Sequence, residues 1–252
     1  HHSLSPTIHT QFAKQVGLSM SYEKILAPLD GFTVAANNFI NSGALGFNIT
    51  VPFKVEAYNL VDEYTLNSKI AGAVNTIKVE NGLLYGENTD GIGLVNDLCN
   101  NLKQSIKGKD ILILGAGGAT QGILLPLLKC QPERILVANR TKSRSLKLAR
   151  KFNEYGNVCG FGLDQIKSKP INIIINATSA SLDGKMPEIP PAVAVGALCY
   201  DLMYGKQTPF MHWAKKNSAL EVTDGLGMLV EQAASAFSFW HGINPETKEI
   251  LK

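Results

Sequence analysis

Three groups of residues carry types and spacings suited to chemistry. Asn48-Ile-Thr-Val-Pro-Phe-Lys54 brings an amide, a hydroxyl and a cation together after an apolar run, and Asn88-Thr-Asp-Gly91 sets an acid where a helix would begin. A lysine and a carboxylate held together can supply and accept a proton, as redox chemistry at a hydroxyl-bearing carbon requires. Taken alone, Lys54 reads as a solvated lysine and Asp90 as a helix N-cap. The third group is Gly115-Ala116-Gly117-Gly118-Ala119, a glycine-rich turn between the wholly apolar residues 111–114 and an apolar stretch over 122–130. Strand, turn and helix in that order are the setting of a dinucleotide fingerprint rather than of a mere tight turn. Gly115 permits the turn, Gly117 lets the backbone approach a pyrophosphate, and the helix N-terminus offers free N–H groups to it. Thr120 stands where the third glycine of G-x-G-x-x-G would be.

The next strand, expected over 134–138, discriminates between cofactors. NAD sites place an acid about 20 residues after the turn, bonded to the ribose 2′-hydroxyl. Here the strand runs into Asn139-Arg140-Thr141-Lys142-Ser143-Arg144, with no acid. Arg140 and Arg144 suit a 2′-phosphate through charge-assisted, fork-shaped hydrogen bonds. An exposed basic helix start is the plainer explanation, but cations at a helix N-terminus oppose its dipole, and a ligand anion would account for them. NADP is therefore favoured over NAD.

These groups need a scaffold. The chain has 252 residues, enough for one large or two ordinary domains, and it is 45% hydrophobic and 18% charged, as a globular protein with a sizeable core is. A net charge of +3 without runs of like charge points away from nucleic acid and membrane surfaces. Cys99, Cys130, Cys159 and Cys199 form no CxxC pair and read as thiols of a reducing, cytoplasmic compartment. The sequons at Asn48, Asn139 and Asn176 lie inside motifs with better explanations. No apolar stretch reaches transmembrane length, and no signal peptide is visible. The opening His1-His2-Ser3-Leu4-Ser5-Pro6, without an initiator Met, suggests residues missing upstream and a native or tag-derived histidine pair.

Periodicity predicts helices after Pro6 and over 32–41, 55–60, 90–102, 122–130, 144–152 and 208–216, with the clearest amphipathic helix over 226–241. Strands are expected at 22–26, 47–51, 73–79, 111–114, 134–138, 171–175, 197–200 and 220–222, and 100–109 reads as a linker. Strands and helices thus alternate, which predicts an α/β fold. An α/β domain over 1–100 would accompany a Rossmann-type doubly wound parallel sheet over 101–225. His9, His212 and His241 lack metal-ligand spacing, so no metal is expected, and Trp213 and Trp240 read as packing residues.

Taken jointly, Ser3-Leu-Ser-Pro6, the Asn48–Lys54 group, Ala73-Val-Asn-Thr76, Asn88-Thr-Asp-Gly91, the glycine turn, Asn139-Arg-Thr141, Asn176-Ala-Thr-Ser179 and Asp224-Gly-Leu-Gly-Met228 resemble the shikimate dehydrogenase family along essentially the whole chain. The resemblance implies reversible reduction of 3-dehydroshikimate to shikimate with NADPH, by a monomer or homodimer. It implies Lys54 and Asp90 as the catalytic pair, Ser3 and Ser5 on the substrate carboxylate, and Asn48, Thr50, Asn75 and Gln232 on ring hydroxyls with Tyr204 nearby. It implies Gly115, Ala116, Gly117, Gly118 and Ala119 on the pyrophosphate, and Asn139, Arg140, Thr141 and Arg144 on the adenosine phosphate. Thr178, Leu202, Gly225 and Met228 would flank the nicotinamide. The resemblance further implies that residues 1–100 are the substrate-binding domain, completed by 226–252, because the C-terminal helix must return for Gln232 to reach the ring, with the site in the interdomain cleft. Two departures stand out: the strand expected before Ser3 is absent, and position 202 is Leu where Met is expected. Plainer roles exist too, with Ser3 and Ser5 capping a helix, Asn75 at a strand-end turn and Gln232 on a helix surface. The competing functions are a quinate/shikimate dehydrogenase paralogue and a non-catalytic NADP(H)-binding regulator. Lys54 and Asp90 argue against the regulator, because a sensor needs neither.

Overall fold

A computed structural model describes residues 3–180 and 184–251, so the histidine pair at positions 1 and 2 lies outside the described residues. The chain divides into two compact units, one made of residues 1–96 and 229–252, the other of residues 97–228.

In the first unit, α1 (Ser5–Gln15) starts at Pro6, whose fixed φ and missing N–H suit a first helical turn. It buries Ile8, Phe12 and Ala13 against Val230, Ala233, Ala234 and Phe237 of the long C-terminal helix, α9 (Leu226–His241). The stripe predicted for that helix is thus its packing face, although Leu226 at its start is exposed. Helix α2 (Phe32–Asn41) ends just before Gly43, whose φ of +94° lies in the left-handed region open to glycine. Strands β1 (Gly46–Asn48), β2 (Glu63–Tyr64), β3 (Thr76–Glu80) and β4 (Leu83–Glu87) form one sheet in the order β1-β3-β4-β2. β1 and β4 run antiparallel to β3, while β2 runs parallel to β4. Phe32, Ala36, Ile49, Ala57, Val61, Val74 and Ile77 fill the space between this sheet, α2 and α3 (Lys54–Leu60). The short α4 (Leu66–Ala71) is capped by Thr65, whose hydroxyl accepts from Ser68 N. Next comes α5 (Asp90–Asn96).

Several elements differ from the sequence reading. Residues 22–26 form no strand, because their backbone finds no ladder partner among the described residues. Tyr22 instead turns its ring onto His9, with centroids 4.5 Å apart, and Ile25 and Leu26 are exposed. β1 stops at Asn48, as the chain turns through residues 51–53. The β3–β4 hairpin turns on Asn81 and Gly82, both at positive φ. β4 has no counterpart in the sequence reading, because Leu83-Leu-Tyr-Gly-Glu87 lacks alternation. The helix expected over 90–102 is α5 followed by one π turn, Asp97–Asn101.

The second unit is a six-stranded parallel sheet of β5 (Asp110–Leu114), β6 (Arg134–Asn139), β7 (Val158–Gly162), β8 (Ile173–Asn176), β9 (Leu198–Asp201) and β10 (Glu221–Thr223). Its order is β10-β9-β8-β5-β6-β7, with every pair parallel. This is the doubly wound dinucleotide-binding topology, whose direction reverses between β5 and β8. Ile111–Leu114 and Ile173–Ile175 are buried, as their unbroken apolar runs require. Helices α6 (Gly118–Lys129), α7 (Lys142–Phe152) and α8 (Pro209–Lys216, capped by the Thr208 hydroxyl) complete the unit. β7 escaped the sequence reading, because Val-Cys-Gly-Phe-Gly is half glycine and small residues. Its Gly160 lies against the Ser145 carbonyl of α7, where a Cβ would meet backbone. Among the described residues, no helix is long and apolar enough to cross a membrane, and no group of His, Cys, Asp and Glu is arranged to hold a metal ion.

Candidate active site

Lys54 is the first residue of α3 and Asp90 the first of α5, so two helix starts set the pair. Lys54 Nζ lies 2.5 Å from Asp90 Oδ2, with side chains 23% and 11% exposed. The ammonium therefore keeps a path to solvent while the carboxylate is nearly enclosed. Asp90 is not the N-cap of its helix. Asn88 Oδ1 accepts from Asp90 N at 3.2 Å, which leaves the carboxylate free for Lys54 and for Asn75 Nδ2, 2.8 Å from Oδ1.

Asn75, just before β3, is 3% exposed. Its Nδ2 also donates to Thr89 Oγ1 at 3.0 Å, and its Oδ1 accepts from Thr89 N at 2.9 Å. Gln232 of α9 reaches the same cluster, its Oε1 accepting from Thr89 Oγ1 at 3.3 Å and from Asn75 Nδ2 at 3.5 Å. Half-buried, it turns its amide oxygen to this cluster. Asn48 ends β1 with Oδ1 accepting from Tyr22 Oη at 2.7 Å and Nδ2 donating to Thr76 Oγ1 at 2.9 Å. Thr50 is exposed on the following turn. An apolar groove lined by Phe32, Phe39 and Phe47 begins beside Tyr22, Asn48 and Thr50 and does not extend to Lys54 or Asp90. Ser3 and Ser5 lie together before and at the start of α1. Ser3 Oγ accepts from Ser5 N at 3.3 Å and donates to Ser5 Oγ at 3.2 Å. Lys54, Asp90, Asn75 and Gln232 thus form one cluster, joined through Thr76 to Asn48. Tyr204 belongs to the other unit, half-buried, and burial raises the pKa of its phenol.

In the second unit, the carboxyl ends of β5 and β8 meet at the reversal of strand order, where ligands of open α/β sheets bind. Gly115 follows β5 with φ +105°, and a Cβ there would crowd the Ala177 carbonyl and the Thr178 methyl. Gly117 and Gly118, at the start of α6, face open space, with no atom within 4 Å of an added Cβ. Together with exposed Ala119, they leave the helix N-terminus uncovered, as a pyrophosphate requires. Thr120 explains the missing third glycine. Fully buried, it donates to Gly115 O at 2.9 Å and so braces the turn that glycine would only permit. Asn139 Nδ2 donates to Thr141 O at 3.0 Å, while Arg140 and Arg144 are exposed and form no ion pair among the described residues. Open room at the glycines and free guanidiniums at the end of β6 both fit NADP.

Thr178 donates to Asn176 Oδ1 at 2.8 Å just past β8. Gly225 is pressed against the Leu202 carbonyl, and its N–H donates to Met203 O at 2.9 Å. Met228 N donates to Tyr200 Oη at 3.2 Å, and Tyr200 Oη donates to Asp97 Oδ2 at 2.6 Å. Burial, and Asp97 beside it, hold the Tyr200 phenol far above its ordinary pKa. Thr76, Thr89, Asp97 and Tyr200 carry no role in the sequence reading. Their signals are single hydroxyls and one acid in apolar surroundings, given meaning only by tertiary contact.

A doubly wound nucleotide unit, joined to a unit that holds a lysine–carboxylate pair, defines a nicotinamide-dependent oxidoreductase. Family models agree, matching residues 1–77 as the shikimate dehydrogenase substrate binding domain, 97–183 as shikimate / quinate 5-dehydrogenase and 225–252 as the shikimate 5'-dehydrogenase C-terminal domain. The chain belongs to the shikimate dehydrogenase family. It is 63% identical to the shikimate dehydrogenase (NADP(+)) of Ruthia magnifica subsp. Calyptogena magnifica over 99% of this chain and 94% of that protein. Among solved structures, an Ael1 enzyme from Pseudomonas putida matches with TM-score 0.94 and 38% identity, covering 99% of this chain and 93% of that one. The shikimate 5-dehydrogenase of Thermus thermophilus, in complex with NADP(H) and shikimate, matches with TM-score 0.85 and 31% identity over 98% of this chain and 92% of that one.

Proposed function

We propose that the chain catalyses the reversible NADPH-dependent reduction of 3-dehydroshikimate to shikimate, a step of chorismate and aromatic amino acid biosynthesis. The observation that carries the mechanism is the Lys54–Asp90 contact at 2.5 Å. NADPH, when bound, supplies the hydride, and the residues of this chain bind, orient and manage the proton. Lys54, protonated, gives a proton to the ring carbonyl oxygen and meets the negative charge developing there. Asp90 holds the ammonium in place and, in the oxidative direction, balances the charge as Lys54 takes the hydroxyl proton.

Residues 1–96 with 229–252 carry the substrate, and residues 97–228 carry NADP. Ser3 and Ser5 bind the substrate carboxylate, Asn48, Thr50, Asn75 and Gln232 bind ring hydroxyls, and Tyr204 lies nearby. Gly115, Ala116, Gly117, Gly118 and Ala119 take the pyrophosphate, while Asn139, Arg140, Thr141 and Arg144 take the adenosine phosphate. Thr178, Leu202, Gly225 and Met228 flank the nicotinamide. The four free cysteines suit a cytoplasmic enzyme, and the partners are small molecules rather than nucleic acid, in a monomer or homodimer. Shikimate-dependent reduction of NADP, followed by absorbance, tests the activity. Parallel assays with quinate and with NAD distinguish a quinate dehydrogenase, and NADPH binding without turnover would make the chain a cofactor sensor.

A further inference from the structure

One line of hydrogen bonds runs through the first unit and ends on the Lys54–Asp90 pair. Tyr22 Oη donates to Asn48 Oδ1 at 2.7 Å, Asn48 Nδ2 to Thr76 Oγ1 at 2.9 Å, and Thr76 Oγ1 to Asn75 Oδ1 at 2.9 Å. Asn75 Nδ2 then donates to Asp90 Oδ1 at 2.8 Å. Two backbone groups fix the direction. Thr89 N–H can only donate, and it meets Asn75 Oδ1 at 2.9 Å, so that atom is an acceptor. Asn75 O can only accept, and it meets Asn48 Nδ2 at 3.3 Å, so that atom is a donor. The single proton of the Thr76 hydroxyl must then point at Asn75, and the Tyr22 proton at Asn48. Thr76 is fully buried, so no solvent competes for its hydroxyl.

We propose that Thr76 is a positioning residue for the reaction, its hydroxyl tying substrate-binding Asn48 to carboxylate-bound Asn75. Asn48 has both N–H groups engaged and can offer a ligand only a lone pair of Oδ1. A substrate hydroxyl meeting Asn48 therefore donates to it, while Lys54 faces the oxygen on the carbon that changes oxidation state. Without the Thr76 hydroxyl, Asn48 keeps its longer bond to Asn75 O and Asn75 keeps its bond from Thr89 N, but the side-chain tie between the two amides is lost, and the carboxylate is held less firmly toward Lys54. Tyr22 closes the far end of the line, its ring held by the stack on His9.

The inference rests on the shikimate dehydrogenase reading, and the experiment separates the two. Steady-state kinetics of shikimate oxidation would be measured on the full chain and on Thr76→Val, Thr76→Ser and Tyr22→Phe, with folding checked by circular dichroism. Thr76→Val keeps the branched strand side chain and removes only the hydroxyl. Its kcat with shikimate should fall on the order of 10- to 100-fold, the scale of a small misplacement of reacting groups, with KM for NADP unchanged. Thr76→Ser should restore kcat to within about threefold of the parent, since a hydroxyl is again present. Tyr22→Phe, which keeps the ring, should raise KM for shikimate, and it serves as the test if Thr76→Val fails to fold. A folded Thr76→Val with parental kcat overturns the proposal, as does a Thr76→Ser as impaired as the valine variant. So does an unaltered KM for shikimate in Tyr22→Phe. A parent protein without shikimate turnover removes the underlying reading and this inference with it.

Discussion

Lys54 and Asp90 meet through one carboxylate oxygen only: Oδ2 takes the ammonium at 2.5 Å, while Oδ1 is held by Asn75 at 2.8 Å. The carboxylate plane is thereby fixed, and Lys54 is directed by a group that cannot turn away. Lys54→Ala should lower kcat on the order of 10²- to 10⁴-fold, the usual contribution of a positioned acid or base, with a much smaller change in KM for shikimate. Steady-state kinetics in both directions check it, and a near-parental kcat would remove Lys54 from the chemistry.

Arg140 and Arg144 have no acidic partner within the described residues, so a charge-assisted bond to a 2′-phosphate would not have to break an existing pair. Hydrogen bonds to charged groups contribute roughly 1.5–3 kcal/mol, so Arg140→Ala or Arg144→Ala should raise KM for NADPH by about 10- to 100-fold. KM for NADH should change by less than about twofold, because NADH lacks the phosphate these residues would bind. An equal rise for both cofactors would show that the arginines act on something other than the 2′-phosphate.

The nucleotide unit was largely legible in the sequence because its signals are local. Apolar runs such as Ile111–Leu114 identify buried parallel strands, and Gly115–Ala119 lies between strand and helix as a glycine-rich turn should. Glycine-bearing β7 was the exception there, since Gly160 is dictated by contact with α7 and not by pattern. The substrate unit was harder to read. Residues 22–26 have strand-like composition, yet Tyr22 is directed by a ring stack and a hydrogen bond to Asn48, both tertiary contacts. The same holds for the site. Lys54 and Asp90 stand out as charged residues within motifs, but nothing local shows that Thr76 joins Asn48 to Asn75. Thr120 reads as a defect in the glycine fingerprint until its hydroxyl is seen to hold the Gly115 carbonyl.

Gly227 packs against Asp97, and a Cβ at position 227 would overlap the carboxylate. That carboxylate is 3% exposed and tied to Tyr200 at 2.6 Å and Asn101 at 2.8 Å, so it cannot step aside without breaking buried bonds. Gly227→Ala should therefore destabilise the second unit by about 1–3 kcal/mol, as overpacking of a filled interior does. Because Met228 N is bonded to the same Tyr200, the variant should also bind NADP more weakly. Chemical denaturation and cofactor titration measure the two effects, and an unchanged unfolding midpoint would mean that Asp97 is freer than its bonds suggest.

His9 is fully buried among Phe12, Tyr22, Phe237 and Trp240, and burial lowers its pKa to about 4, against a smaller upward pull from Asn48. In the unfolded chain the same imidazole titrates near its ordinary value of about 6.5. Between the two values the unfolded state holds a proton that the folded state excludes, so stability rises with pH across this window. The contribution of His9 is complete above about pH 6.5 and is lost as the pH falls toward 4, with a slope approaching 1.4 kcal/mol per pH unit. From about pH 7.5 to pH 5 the loss amounts to about 2 kcal/mol. His9→Phe keeps an aromatic ring in the cluster and removes the titration. Its unfolding free energy should therefore fall by about 2 kcal/mol less than that of the parent over the same range. His241, whose pKa burial and Lys78 also lower, is present in both proteins, and its charge adds only the smallest of the causes acting on His9. Urea unfolding of both proteins at the two pH values measures the difference, and parallel pH dependences would place the His9 imidazole in a more hydrated setting than its packing indicates.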